Sequence, residues 1–381
     1  MHREFIGIVG LTALIANLGV GTARECRAAG AVRRNDDPLL KQVRLAIETT
    51  TKRYLTAGVH TPWQIMHGIL AYRGDYEIRD ATGKRRIDAV AWMSNGPQHN
   101  RRDWFLKTRY GARPHPYTTD YIFEGHPNQF LAMMAMAGFP RDHKLKAGKT
   151  TITVQDLVNH AKKEITTQDE VTWSLWALSH YLGPDATWTN KYGESWSVEY
   201  LASRQTQSPA VKGACGGTHG LFALAFARKA YLKTGRPLRG VWLQADVRIK
   251  RHVEIARSLQ NGDGSFSSQY FQGRGYSRNF ETRLSTSGHM LEFLALSVTD
   301  GQLKEDWFRK GVAAVAKDLI DNKYKAAEPG ALYHALDGLM IYRQRVTGIA
   351  PALVSRRLPV QARRPAEAGS RWRRTADRRA K

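Results

Sequence analysis

Histidine recurs along this sequence in a fixed relation to apolar residues. His126, His219, His289 and His334 are each followed five positions later by leucine and then by a small or apolar residue, and Trp173 takes the place of histidine before another leucine. Imidazole titrates near neutral pH and is the commonest metal ligand, so these positions are the first candidates for chemistry. Their recurrence also indicates an internal repeat of helical units.

Acid–base cleavage of a polysaccharide is one chemistry that these residues could perform. It needs a carboxylate, a histidine or tyrosine base, aromatic rings against the sugar faces and guanidinium groups for acidic substituents. The catalytic candidates for this chemistry are His219, His289, Glu170 and Tyr276. The substrate-binding candidates are His126, Trp173, Arg274, Arg283 and His334.

A metal site is the alternative chemistry. A thiolate and imidazoles suit zinc, and Cys215 with His219 and His289 would supply them. In the competing interpretation each histidine hydrogen-bonds to its neighbouring hairpin and Cys215 packs as a small apolar side chain. Histidines on alternate helices of a ring point to different sides of its mouth. We therefore expect no cofactor, with zinc as the alternative.

Capping signals and apolar periodicity predict the elements that carry these residues. Asp37 precedes Pro38, and Thr61 with Gln64 provides the residues of a capping box. The glycine-rich residues 213–217 predict a turn that opens into an apolar helix. Amphipathic outer helices and apolar inner helices then alternate. The later segments are predicted at residues 153–166, 171–182, 195–203, 218–233, 241–259, 290–298, 303–322 and 332–342.

The alternation predicts the fold class. The outer helices are one fewer than the inner ones, and a short helix at residues 100–107 would complete the set. The expected fold is all-α, an α/α toroid of six helical hairpins whose mouth gathers the histidines. Residues 74–120 have β-like and turn-like sequence, which predicts a small insertion.

A short motif supports this architecture. The segment from Gln260 through Gly262, Asp263 and Gly264 to Phe266 resembles the QW motif of terpenoid cyclases, with Phe266 in place of the usual tryptophan. In that family the motif ties the end of an outer helix to the next inner helix. Together with the six hairpins, it makes residues 38–346 resemble the terpenoid-cyclase and protein-prenyltransferase superfamily, as an exported bacterial member.

The resemblance implies a fold without implying an activity, because the catalytic motifs of the family are missing. The sequence has no D-x-D-D stretch, and Asp36-Asp37 does not continue into D-D-x-x-D. Protein prenyltransferases bind zinc through Asp-x-Cys and a histidine on a later inner helix. Cys215 and His289 would match that pattern, but Gly213 stands where the aspartate is needed.

Both ends of the sequence differ from its middle. A cationic start, an apolar run and small residues predict a signal peptide over residues 1–23, with an uncleaved membrane anchor as the alternative. A linker over residues 24–37 then leads to the toroid domain, residues 38–350. Residues 351–381 are rich in arginine within a chain of net charge +24, which predicts a basic disordered tail. Two cysteines, Cys26 and Cys215, exclude a disulfide framework.

These features favour an exported protein, periplasmic or secreted, that binds or processes an extracytoplasmic anionic polymer at the histidine-rich mouth. The alternatives are a polysaccharide lyase or hydrolase, a zinc-dependent prenyltransferase-like enzyme, and a binding module without catalysis. We expect no specific nucleic-acid partner, and membrane contact only through an uncleaved N-terminal segment.

Overall fold

The computed structural model describes residues 37–116 and 121–356. The signal peptide, Cys26, the linker up to residue 36 and the tail from residue 357 lie outside the described residues. Within the described ranges the protein is predominantly α-helical, and none of its helices is both long enough and apolar enough to cross a membrane. The helices are α1 (Pro38–Thr51), α2 (Pro62–Tyr72), α3 (Ala89–Ser94), α4 (Gln129–Ala137), α5 (Val154–Glu164), α6 (Thr172–Tyr181), α7 (Val198–Gln207), α8 (Thr218–Leu232), α9 (Gly240–Ser258), α10 (Phe280–Ser297), α11 (Asp306–Asp321) and α12 (Pro329–Thr347).

The predicted caps are confirmed. Oδ1 of Asp37 accepts a hydrogen bond from the Leu39 N–H at 2.9 Å, and Pro38 is the first residue of α1. At the start of α2 the Gln64 N–H donates to the Thr61 hydroxyl, and the Thr61 N–H donates to the Gln64 side chain. Local side-chain chemistry therefore fixes where both helices begin.

The strands of the described residues form five two-stranded antiparallel hairpins. The predicted helix at residues 100–107 is wrong, because Asn100 and Arg101 have φ angles of 51° and 59° and form a turn between two strands. Such left-handed residues cannot continue an α-helix. The hairpins pair β1 (Glu77–Arg79) with β2 (Arg86–Asp88), β3 (Gln98–His99) with β4 (Arg102–Asp103), β5 (Phe105–Thr108) with β6 (Gly111–Pro114), β7 (Lys144–Ala147) with β8 (Thr150–Thr153), and β9 (Thr187–Thr189) with β10 (Ser195–Ser197).

The predicted alternation of two kinds of helix is confirmed. In α6 every residue but His180 is buried, and α2, α4, α10 and α12 are buried on most sides as well. In α5, by contrast, only Val154, Leu157, Val158 and Ala161 are buried, which is one face of the helix.

The buried helices contact one another in order along the chain. Helix α2 contacts α4, α4 contacts α6, α6 contacts α8, α8 contacts α10, and α10 contacts α12; α12 then contacts α2. The amphipathic α1 packs on α11 and α12, and α9 packs on α7 and α8. Side chains that leave different buried helices on the same side can therefore meet.

Two predicted helix starts are corrected. Helix α10 begins at Phe280 and not at Met290, because Asn279 caps it and the small or polar residues 286–288 are buried within it. Residues 195–197 form β10, and α7 begins at Val198 after the Ser197 cap. His289 consequently lies inside a long buried helix.

The turn before α8 is built from left-handed residues, as its glycines predicted. Cys215, Gly216 and Gly217 have φ angles of 49°, 63° and 87°. A Cβ on Gly217 would lie 2.2 Å from the Ala210 carbonyl oxygen, and a Cβ on Gly216 would lie 2.2 Å from the Tyr270 ring. Only glycine fits both positions, and the tight turn places Cys215 just ahead of His219.

The segment that contains Gln260 and Phe266 joins neighbouring helices. The Gln260 side-chain amide donates to the carbonyl oxygens of Gly264 and Trp307, each at 2.9 Å. The Phe266 ring is buried against Gly311 of α11, and the Phe266 N–H donates to the Ser287 hydroxyl of α10. This segment therefore connects the end of α9 to both α10 and α11.

Candidate functional site

Four histidine rings from four buried helices meet in one cluster, which we call the histidine cluster: His67 of α2, His219 of α8, His289 of α10 and His334 of α12. The ring centroids of His289 and His334 are 4.3 Å apart, and His219 lies 4.8 Å from His334 and 5.0 Å from His289. His67 lies 5.1 Å from His334. The expectation that the repeated histidines point to different sides is thus wrong for His219, His289 and His334, because the buried helices pack closely enough for these side chains to meet.

The sequence pattern did not identify His67, because tyrosine and not leucine follows it at the fifth position. A histidine among the apolar residues of α2 was the available signal. Its burial is complete enough that desolvation holds its pKa well below the usual value, so the ring is neutral.

Three of the clustered rings have their Nδ1 atoms fixed by hydrogen-bond partners. Nδ1 of His67 lies 2.7 Å from the Trp63 carbonyl oxygen, and Nδ1 of His289 lies 2.5 Å from the Ser285 carbonyl oxygen. Nδ1 of His334 lies 2.8 Å from Oε2 of Glu292. The two carbonyl oxygens can only accept, so the rings of His67 and His289 carry the proton on Nδ1 and keep a lone pair on Nε2. This is the arrangement found in metal-binding histidines. The Glu292 carboxyl can accept a hydrogen bond from His334 or donate one to it.

His219 differs from the other three. Its side chain is buried, and neither Nδ1 nor Nε2 has a hydrogen-bond partner among the described residues. Burial, reinforced by His334 and His289, holds its pKa well below the usual value. A buried polar group without a partner carries a desolvation cost of about 1–3 kcal/mol. A bound ligand that contacts the His219 nitrogens would remove that cost.

Two groups of potential metal ligands share His219. One donor atom each from Cys215, His219 and His289 lie within 4.8 Å of one another, and the same holds for His219, Glu292 and His334. Burial raises the pKa of the Cys215 thiol to about 12, with Glu292 and Glu328 adding to the effect, so the free side chain is a neutral thiol. Sulfur and nitrogen donors at this spacing fit a zinc-type ion after only a modest contraction.

Two carboxyl groups and a guanidinium group are buried together beside His334. Burial raises the pKa of Glu292 to about 8, and it raises the pKa of Asp337 well above its usual value. Nη2 of Arg73 lies 2.6 Å from Oδ1 of Asp337. Asp337 in turn hydrogen-bonds to Glu292, so the hydrogen-bond partner of His334 is held in place by residues of other helical segments.

The histidine cluster lines a cavity of about 450 Å³, which we call the central cavity. Its remaining polar and aromatic lining includes Trp63, Gln64, Tyr121, Gln129 and Glu328. Among the described residues that line it there is no lysine or arginine, although the chain carries a net charge of +24. The cavity thus provides room for a ligand beside the candidate metal ligands.

His126 and Glu170, two of the predicted site residues, form a pair at the edge of the cavity. Nδ1 of His126 lies 2.7 Å from Oε2 of Glu170, with side-chain exposures of 24% and 36%. The His126 ring lies 5.5 Å from Trp173, which in turn lies 4.9 Å from His219. Trp173 itself is fully buried, so its predicted role as a sugar-stacking surface is wrong.

The remaining predicted residues lie elsewhere. Arg283 is occupied by ion pairs, with Nε 2.9 Å from Asp318 and Nη1 2.8 Å from Asp263. Arg274 donates to the Ser258 carbonyl oxygen, and Tyr276 is 56% exposed. None of the three lines the central cavity, so the prediction that Arg274, Tyr276 and Arg283 belong to the site is wrong.

Comparison of the chain with protein-family models, curated proteins and solved structures finds no match. The interpretation of the site accordingly rests on its own geometry.

Proposed function

We propose that this protein is a metal-dependent enzyme that binds one divalent ion, zinc being the first candidate, through Cys215, His219 and His289 in the wall of the central cavity. The observation that carries the proposal is His219. Its two ring nitrogens are buried without a hydrogen-bond partner among the described residues, and one of them lies within 4.8 Å of the Cys215 and His289 donor atoms. A purely structural histidine would use at least one nitrogen in a hydrogen bond.

The arrangement favours a catalytic over a structural ion. Three protein ligands leave a coordination position open, whereas structural zinc sites are closed by four. The central cavity adjoins the ligands, so a substrate would have access to that position. When bound, such an ion supplies Lewis-acid catalysis to a carbonyl or phosphoryl group. At the cavity edge, His126 and Glu170 can hold or move a proton.

The same observations bear on the architecture. The contacts of the six buried helices, which return from α12 to α2, support an α/α toroid. The joining of α9 to its neighbours through Gln260 supports the resemblance to the terpenoid-cyclase and prenyltransferase superfamily. Position 213 holds glycine where the Asp-x-Cys pattern of the prenyltransferases has a metal-binding aspartate, so the proposed ligand set differs from theirs.

Native mass spectrometry of the full chain, purified without chelators and compared with the denatured mass, tests this proposal. We expect the added mass of one ion, lost in His219→Ala and in Cys215→Ala. His180→Ala is the matched control, because it removes an exposed histidine from a neighbouring buried helix. Circular dichroism verifies that each variant is folded.

Cobalt substitution gives a second readout that does not require a known substrate. A cobalt-loaded protein should show a near-ultraviolet thiolate-to-metal absorption band that disappears in Cys215→Ser. A wild-type chain that takes up neither zinc nor cobalt would overturn the proposal.

A further inference from the structure

A second depression on the protein surface adjoins the central cavity. This outer cleft, of about 570 Å³, is lined by residues 168–172 and by side chains that include Arg204 and Arg248. His126 and Ala214 line both the outer cleft and the central cavity. Each volume alone is typical of a pocket for one small molecule. Two such spaces that share a wall suit a ligand made of linked units.

The charges along this path disfavour an anionic ligand. The described lining of the central cavity has no lysine or arginine, and both oxygens of its carboxylate residue Glu328 accept backbone N–H groups at 2.8 Å. In the outer cleft, Arg204 and Arg248 donate to carbonyl oxygens, and the carboxylates of Asp169 and Glu170 balance their two positive charges. An anionic chain would lose its water without meeting a net positive charge among these described lining residues. An uncharged chain would not meet that cost.

The uncharged lining is aromatic and rich in amides. The rings of Trp63 and Tyr121 lie 4.9 Å apart, and Tyr121 is 50% exposed at the cavity mouth. Gln64 and Gln129 line the same space. Aromatic faces with neighbouring amides suit a ligand whose units have both an apolar face and hydroxyl groups. No described strand lines either depression, so neither offers the sheet edge that commonly binds a peptide.

We propose that the outer cleft and the central cavity together bind a neutral polysaccharide chain, which passes over His126. The inference rests on the proposed function, because the bound chain would lie beside the metal centre. It replaces the anionic polymer expected from the net charge with an uncharged one.

Co-sedimentation of the full chain with insoluble polysaccharides tests the inference. The neutral set is cellulose, chitin and a β-1,3-glucan, and the acidic set is calcium alginate and calcium pectate. High salt screens the net positive charge, so that nonspecific attraction to the acidic set is suppressed. We expect retention on at least one neutral polymer and none on the acidic ones.

Two tyrosine variants locate the binding. Tyr121→Ala should weaken retention about tenfold, as expected for the loss of one aromatic contact. Tyr324→Ala is the control, because that side chain is 91% exposed and lines neither depression. Retention on acidic polymers alone, on no neutral polymer, or equally by both variants would overturn the inference.

Repeating the assay after chelation separates the two proposals. Retention on a neutral polymer by a chain that binds no metal would leave this inference standing and remove the proposed function as a metalloenzyme. A chain that binds metal but is retained on no neutral polymer would leave the proposed function standing and overturn this inference.

Discussion

His334 and Glu292, from neighbouring buried helices, form a hydrogen bond of 2.8 Å although each side chain is only 2% exposed. The bond fixes the orientation of the His334 ring, whose centroid lies 4.8 Å from that of His219. Glu292 thus acts on the site by orienting a ring of the histidine cluster, and it is a positioning residue.

Glu292→Gln should therefore weaken metal binding by less than the roughly 10- to 100-fold that follows loss of a carboxylate bonded to a metal ligand, because His334 packs against His219 and His289 but is not itself a proposed ligand. Competition with a chromophoric chelator measures the affinity. Glu281→Gln is the matched control, since it changes an exposed glutamate in the first turn of the same helix. Equal affinities for the two variants would contradict the positioning role.

Gly217→Ala should destabilise the protein beyond the ordinary cost of a left-handed alanine. That cost is about 1–2 kcal/mol and applies equally to Gly193→Ala, where φ is 84° and nothing lies within 4 Å of the added methyl group. At Gly217 the methyl group would also meet the Ala210 carbonyl oxygen, which adds roughly 1–3 kcal/mol. Urea denaturation measures the free energy of unfolding of both variants. Equal losses of stability would show that the turn at Gly217 shifts enough to avoid the contact with the Ala210 carbonyl oxygen.

Gln260→Ala should lower the free energy of unfolding by about 2 kcal/mol, because it removes two hydrogen bonds and leaves two carbonyl groups short of a donor. Gln207→Ala, at an exposed position near the end of α7, should change it by less than about 0.5 kcal/mol. Chemical denaturation distinguishes the two. If Gln260→Ala left the free energy of unfolding unchanged, the two hydrogen bonds of Gln260 would not stabilise the packing of the helices that they join.

Glu124 should make the protein less stable as the pH rises. Burial raises its pKa from 4.5 to about 8, even though Oε1 accepts the Phe130 N–H at 2.9 Å. Because the folded state binds this proton more tightly, the stabilisation is complete below pH 4.5 and is lost progressively as the pH approaches 8.

Glu124→Gln keeps the acceptor and removes the titration. The difference in unfolding free energy between this variant and the wild type should therefore shift in favour of the variant between pH 5 and pH 8. Glu199→Gln, an exposed change, should show no such trend. A wild-type profile parallel to that of Glu124→Gln would contradict the assignment.

Sequence reasoning succeeded where the signal is local. The caps at Asp37 and Thr61 were predictable because side chain and backbone lie within three residues of each other. The start of α10 was not, since buried Thr286 and Ser287 read as surface residues until the neighbouring helices enclose them. The turn at Asn100 was missed because its residue types do not demand a left-handed backbone.

The site was partly predictable for the same reason. The repeat identified His219, His289 and His334 as candidates, but their convergence depends on how closely helices distant in sequence pack. Arg283 was predicted to bind substrate, but its guanidinium group forms ion pairs with Asp318 and Asp263. The sequence does not identify these two residues as its partners. Residue type predicts which chemistry is available, and tertiary packing decides which groups remain free for it.

The contact between α12 and α2 has a consequence for synthesis on the ribosome. Because the N-terminus is synthesised first, the side of α2 that contacts α12 stays uncovered until nearly the whole described chain has been translated. His334 arrives with that same last helix, so the cavity wall and the histidine cluster are completed in one late event. A chain truncated before α12 would lack His334 and the α12 side of the cavity wall and would leave one side of α2 uncovered, which favours its degradation by proteases.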